Sequence, residues 1–234
     1  MTASAAILLA AGEGRRMGMP KALLVVDGKP LVRAHAERFR EAGCSRVIVV
    51  VREADAEAVR GLLGGVSEAR LVATNSASMA ESLAAGLRQL GSRSDAAIVI
   101  SPVDVLPARV STLIALLDAV MLPGVQVATP RYLGRNGHPI VARSTLLAAF
   151  HRGYSGTLRA LIHSADAQRR HVETEDSAIL GDFDTPEEFA AARAWGGERC
   201  QSTSSSSSSP LAVGSLTSSN CALDARLSKP RAVD

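Results

Sequence analysis

The chain has 234 residues, 47% of them hydrophobic and 21% charged, so it can bury the core of one sizeable globular domain. A formal net charge of +3 is too thin for its size to single out a nucleic-acid partner, and 3% aromatic residues leave few platforms for stacking bases. The cysteines Cys44, Cys200 and Cys221 are scattered, with no C-x-x-C pair, which makes a reducing, cytoplasmic compartment the default expectation. The apolar run near the start is too short to span a bilayer and lacks a basic leading region, so no membrane is expected.

That run, ending Ile7-Leu8-Leu9-Ala10-Ala11-Gly12, reads as a buried strand stopped by glycine. A polar loop leads to Lys21, and Pro30 opens a helical stretch to about Gly43. The β-branched segment Arg46 to Val51 predicts a strand, Ala54 to Leu63 a helix, and the surroundings of Leu71 a short strand. Ser78 with Glu81 forms a capping box for a helix through Leu90. Ala96 to Ile100 predicts another buried strand, delivering Ser101-Pro102-Val103-Asp104 at its end. A helix to about Val120, a strand at Gln126 to Thr129 and an extended piece at His138 to Ala142 come next. Helices over Ser144 to His151 and Ser155 to His163, an extended Arg170 to Glu173 and a helix from Thr185 to Trp195 capped by Asp184 complete the pattern.

Strands alternating with helices at this spacing predict an α/β, three-layer architecture with a mostly parallel central sheet and helices on both faces. Ligands gather at the carboxyl ends of such strands. From Gly196 the composition turns to Ser, Thr and Pro, with an unbroken serine run from Ser204 to Ser209. The expected division is therefore a domain over 1–195 and a disordered tail over 196–234.

The loop Gly12-Glu13-Gly14-Arg15-Arg16-Met17-Gly18-Met19-Pro20-Lys21 interleaves glycines with cations directly after the first strand. Glycines let amides approach phosphate oxygens, and Arg and Lys neutralise the charge that amides alone cannot. It is neither a Walker A loop, since Met19 follows Gly18, nor the dinucleotide fingerprint, which needs Gly where Met17 stands. A glycine-rich connector with solvated arginines is the plainer alternative. No Ser-His-Asp or Cys-His arrangement stands out, and His35, His151, His163 and His171 lack metal-ligand spacing, reading as surface or partly buried residues.

The string Leu9-Ala10-Ala11-Gly12-x-Gly14-x-Arg16-Met17-Gly18-x-Pro20-Lys21 resembles the signature of the MobA-like NTP transferases. Its Ala10-Ala11-Gly12 form is most similar to the molybdenum cofactor cytidylyltransferase branch. The resemblance, over roughly Ala5 to Trp195, implies a Rossmann-like nucleotidyltransferase fold. It implies a nucleotide site of Leu8, Ala10, Ala11, Gly12, Glu13, Gly14, Arg15, Arg16, Lys21, Asn75 and Ser82. Within it the Gly12 to Arg16 turn would hold the β- and γ-phosphates, Lys21 would reach the α-phosphate, and the Leu8 to Ala10 backbone would border the base. Lys21, Arg16 and Asp104 are the implied catalytic residues.

Ser101-Pro102-Val103-Asp104-Val105-Leu106-Pro107 and Gly181-Asp182-Phe183-Asp184-Thr185-Pro186 resemble two acidic segments of the family, the first with Leu106 inserted. By that resemblance Asp104 and Asp182 ligate Mg²⁺, Asp182 being the sharper candidate, whereas Asp184 reads first as the helix cap with acids behind it, with a metal-ligand role as its alternative. Gly134-Arg135-Asn136-Gly137-His138-Pro139 resembles an acceptor-side stretch, with Asn136 intervening, and implies Arg135 and His138 as acceptor-binding residues. His138 reads equally well as a hydrogen-bonded structural group.

The implied reaction moves an NMP, CMP from CTP by preference, onto a phosphorylated acceptor of molybdopterin type, with a molybdoenzyme or chaperone as the receiving partner. A sugar- or alditol-phosphate nucleotidyltransferase and a noncatalytic nucleotide or cofactor carrier are the alternatives.

Overall fold

The computed structural model describes residues 3–91, 95–164 and 168–197. In chain order the strands are β1 (Ser4–Ala10), β2 (Val25–Val26), β3 (Lys29–Pro30), β4 (Arg46–Arg52), β5 (Ala69–Thr74), β6 (Ala97–Pro102), β7 (Val127–Tyr132), β8 (Arg135–Asn136), β9 (Ile140–Arg143) and β10 (Arg169–Glu173). The α-helices are α1 (Leu31–Glu41), α2 (Ala56–Leu62), α3 (Met79–Leu90), α4 (Val110–Met121), α5 (Ser144–His151), α6 (Leu158–Ile162) and α7 (Pro186–Gly197).

The main sheet runs β10-β7-β9-β6-β1-β4-β5, with β8 beside β7. β1 is parallel to both β4 and β6, β4 to β5, and β7 to β10. β9 is inserted antiparallel between β6 and β7. The chain thus builds outward from β1 through β4 to β5 and then crosses to β6 on the other flank. That reversal is the topological switch point at which a crevice opens beyond the strand ends.

The period of two along β1 sorts its side chains into two cores. Ala6, Leu8 and Ala10 join Val47, Val49 and Val51 under α1, α2 and α4, through Leu31, Phe39, Val59, Leu113 and Leu116. Ala5, Ile7 and Leu9 join Ile48, Val50 and Ile100 under α3, α5 and α6, through Leu83, Leu87, Leu147 and Leu161. A strand with every residue buried must be covered on both faces, which the apolar run around Ile7 to Ala10 already implied. Gly86 lets α3 sit close, since a Cβ there would lie 2.9 Å from Ile7 Cγ2 and 3.1 Å from Val50 Cγ2.

Several boundaries differ from the sequence reading for local reasons. Pro30 precedes α1 as its cap rather than starting it. The helix expected over Ser155 to His163 shrinks to α6, because the Thr157 hydroxyl accepts from the Ala160 amide at 3.1 Å and starts the helix there. α7 is capped by Thr185, not Asp184: the Thr185 hydroxyl accepts from the Glu188 amide at 3.2 Å, and the Glu188 carboxylate accepts from the Thr185 amide at 3.1 Å. α7 also runs through Gly196 and Gly197, past the expected boundary, and the rest of the serine-rich tail lies outside the described residues. His35 is fully buried rather than partly so, with 1% exposure.

Candidate active site

β1 and β6 end level with each other, Leu9 being in register with Pro102, and the Val103 amide donates to the Leu9 carbonyl at 2.9 Å. The segments that follow them, the glycine-arginine loop and the Asp104 segment, therefore leave the sheet side by side. In the loop Gly14 adopts a φ of 60°, and a Cβ there would fall on the Met19 carbonyl oxygen, so only glycine fits. A short 3-10 turn over Arg15–Met17 then buries Met17 and keeps both arginines at the surface, where Arg15 pairs with Glu13. A second 3-10 turn, Lys21–Leu23, buries Ala22.

Lys21 is the most enclosed cation of the loop, its side chain only 11% exposed. Its Nζ donates to Asp104 Oδ2 at 3.1 Å, to Asp184 Oδ1 at 2.8 Å and to the Phe183 carbonyl at 2.8 Å. Arg16 Nη2 donates to the other oxygen of Asp184 at 2.8 Å. The two carboxylates come from segments far apart in the chain, one after β6 and one before α7, and meet on one ammonium.

Their backbones are fixed by neighbours. The Phe183 amide donates to the Asp104 carbonyl at 2.9 Å, and the buried Phe183 ring packs on Phe189 of α7 with centroids 4.7 Å apart. The Val105 carbonyl accepts from His35 Nε2 of α1 at 2.9 Å. Because a carbonyl can only accept, Nε2 of His35 carries the hydrogen. Burial holds the ring neutral by pushing its pKa from 6.5 down to about 4, with the bond to Val105 opposing.

The crevice beyond these strand ends is a cleft of about 570 Å³. Of the expected site residues, Ala11, Gly12, Glu13, Gly14, Arg15, Arg16, Lys21, Ser82 and Asp104 line it. Leu8 points into the core and Ala10 is buried at the end of β1, so neither lines the cleft. Asn75 lines a neighbouring depression and donates to Glu53 Oε2 at 2.8 Å. Ser82 lies 2.6 Å from the Ser76 hydroxyl and donates to the Ser78 carbonyl at 3.1 Å, which ties the start of α3 to the wall of the cleft. Arg135 and Asn136 are exposed on β8, outside the lining.

Asp182 is exposed and does not line the cleft, whereas Asp184 does. His138 is an exposed residue outside the cleft lining, and desolvation lowers its pKa against the pull of the Asp104 and Asp182 carboxylates. Asp184 is the cleft residue that sequence reasoning ranked below Asp182. The signal was present in Thr185 and Glu188, which satisfy the helix start and release the Asp184 carboxylate for the cleft. Ser76, Ala77, Ser78 and Met79 also line the cleft beyond the residues singled out in the sequence. Among the described residues no group of three or more His, Cys, Asp or Glu side chains could hold a metal unaided.

The cleft at the switch point, with Lys21 shared between two carboxylates beside the glycine-arginine loop, is that of a nucleotidyltransferase by its family. The chain belongs to the MobA-like NTP transferase domain family, which matches residues 6–172. It is 35% identical over 98 residues to the bifunctional enzyme IspD/IspF of Novosphingobium aromaticivorans, a match covering 41% of this chain and only 25% of that protein. Among solved structures, Rv0371c from Mycobacterium tuberculosis H37Rv superposes with a TM-score of 0.69 at 22% identity, covering 83% of this chain and 99% of that one, and it is also known as a manganese complex. A CMP:2-keto-3-deoxy-manno-octonic acid synthetase complexed with CTP superposes with a TM-score of 0.66 at 17% identity, covering 85% of this chain and all of that one. At these identities the structural likenesses speak to the fold alone.

Proposed function

We propose that the domain over 1–195 transfers CMP from CTP to the phosphate of the molybdenum cofactor in the cytoplasm, releasing pyrophosphate and passing the product to a molybdoenzyme or its chaperone. The observation that carries this reading is the meeting of Asp104 and Asp184 on Lys21 Nζ at the mouth of the Gly12 to Arg16 loop. An acceptor phosphate oxygen attacks the α-phosphorus, a P–O bond forms, and the bond to pyrophosphate breaks. Both reactants are anions, so positioning and charge neutralisation carry the catalysis and no nucleophilic side chain is needed.

In this reading the amides and arginines of residues 12–16 take the β- and γ-phosphates, and Lys21 follows the α-phosphate. Ser82 and the start of α3 border the base and ribose from the opposite wall, with Asn75 beyond them. Arg135 and His138 receive the acceptor.

The donor set fits magnesium, which prefers few carboxylates with phosphate oxygens and waters completing its shell. Two carboxylates on one nitrogen lie no more than about 6 Å apart, so a small side-chain rotation brings both onto one cation. We assign this role to Asp104 and Asp184, in place of Asp182. When bound, the ion neutralises triphosphate oxygens and fixes their orientation. The manganese complex of Rv0371c and the CTP complex of the octonic acid synthetase are precedents on the same fold for a divalent cation and for CTP.

The alternative acceptor class is a sugar or alditol phosphate. Incubating the purified protein with CTP, GTP, UTP or ATP, Mg²⁺ and each acceptor while following pyrophosphate release decides between them. Release with CTP and the molybdenum cofactor alone is the expected result. Nucleotide binding with no release under any combination would leave only a carrier module.

A further inference from the structure

The cations that the loop offers to a triphosphate are already engaged. Asp184 presents one oxygen to Arg16 Nη2 and the other to Lys21 Nζ, both at 2.8 Å. A carboxylate gripped on both oxygens by the two cations occupies the place where a phosphate would bridge them. The Lys21 contact is the enclosed one, with its side chain 11% exposed and that of Asp184 30%, whereas the Arg16 side chain is 56% exposed and holds its oxygen from the solvent side.

We infer that Asp184 is a built-in counter-anion seated in the phosphate position between Arg16 and Lys21, which yields to a metal-bound triphosphate but resists a metal-free one. The inference rests on the nucleotidyltransferase reading and deepens it. A bare triphosphate must displace Asp184 from both cations, and it then lies against Asp104 and Asp184 with their shared ammonium drawn away. Like charges in a half-enclosed cleft oppose that arrangement. A triphosphate carrying a divalent cation brings the carboxylates a new partner as it takes their old one, so charges are exchanged rather than exposed.

The backbone can stay in place during the exchange. The Asp184 amide donates to Glu188 Oε2 at 2.7 Å, and Phe183 is pinned to the Asp104 carbonyl, so rotation of the Asp184 side chain is sufficient. The cleft would thereby reject free nucleotide and other metal-free polyphosphates that could occupy it without reacting.

The test measures binding, not turnover. Wild type, Asp184→Asn, Asp184→Ser and Asp182→Asn are titrated by calorimetry with inorganic tripolyphosphate and with CTP in EDTA, then with CTP and Mg²⁺. Removing the counter-anion should tighten metal-free tripolyphosphate by about tenfold in both Asp184 variants. Asp182→Asn makes the same charge change without a contact to Arg16 or Lys21 and should change the affinity by about twofold or less. The gain in CTP affinity on adding Mg²⁺ should shrink in the Asp184 variants.

Two variants guard against one that misfolds, and melting curves identify it. Metal-free affinity in folded Asp184 variants equal to or weaker than wild type, or matched by Asp182→Asn, overturns the inference while leaving the enzymatic reading intact. Failure of wild type to bind CTP with Mg²⁺ overturns that reading and the inference with it.

Discussion

Acidification should destabilise this domain through one histidine, by an amount on the order of a few kcal/mol. His35 lies wholly inside the core formed by α1 and donates from Nε2 to the Val105 carbonyl. Burial pushes its pKa from 6.5 down to about 4. Between these values the unfolded chain holds a proton at this site that the native protein excludes, so stability is fully present above about pH 6.5 and is lost as the pH falls towards 4. The gap corresponds to about 3 kcal/mol, at 1.36 kcal/mol per unit. Urea unfolding at a series of pH values measures it, and with a slope of about 1–3 kcal/mol/M the midpoint attributable to His35 should drop by about 1 M or more. Other acid-sensitive groups contribute to the wild-type curve, so the comparison is with His35→Gln, whose side-chain amide can donate to Val105 but does not titrate in this range. The wild-type midpoint should fall faster than the variant's below pH 6.5. Parallel curves for the two proteins between pH 7 and 4 would refute the assignment.

The remaining expectations concern the cleft. Lys21→Ala should lower turnover by about 10²–10³-fold, the cost of about 2.7–4 kcal/mol for one preorganised charge-stabilising donor, and unchanged pyrophosphate release would discard the role given to it. Gly14→Ala should cost about 1–3 kcal/mol of stability, because the new residue would be held at a φ of 60° with its Cβ on the Met19 carbonyl. In the same variant KM for the nucleotide should rise more than kcat falls, and wild-type values of both would show that the loop tolerates the distortion.

The parts of this molecule that were legible in its sequence are those governed by local periodicity. β1 and β4 are apolar runs because both sides of each strand are covered, and α3 announces itself with Ser78 and Glu81, whose capping contacts are present at 3.2 and 2.8 Å. The loop after β1 stood out through its full string from Leu9 to Lys21, since glycines and cations alone also suit a plain connector. The orientation of β9 was not legible, since a four-residue apolar segment reads the same whether it is inserted parallel or antiparallel. The burial of His35 depends on where the Val105 carbonyl lies, 70 residues further along the chain.

Asp184 shows why a locally correct rule can hide a site. An aspartate ahead of Thr-Pro-Glu-Glu satisfies every preference of a helix start, so capping alone accounts for it and nothing remains to be explained. What decides is whether the helix amides have another acceptor. They do, since Thr185 and Glu188 satisfy each other's backbone groups, and Glu188 also takes the amide of Asp184 itself at 2.7 Å. Once the cap is assigned to its neighbours, a carboxylate half-buried at a cleft edge must find cations, and Lys21 and Arg16 are the ones it meets. The reciprocal cap therefore frees Asp184 for the cleft while holding its backbone beside Lys21, so one four-residue motif both starts α7 and places a carboxylate against the glycine-arginine loop.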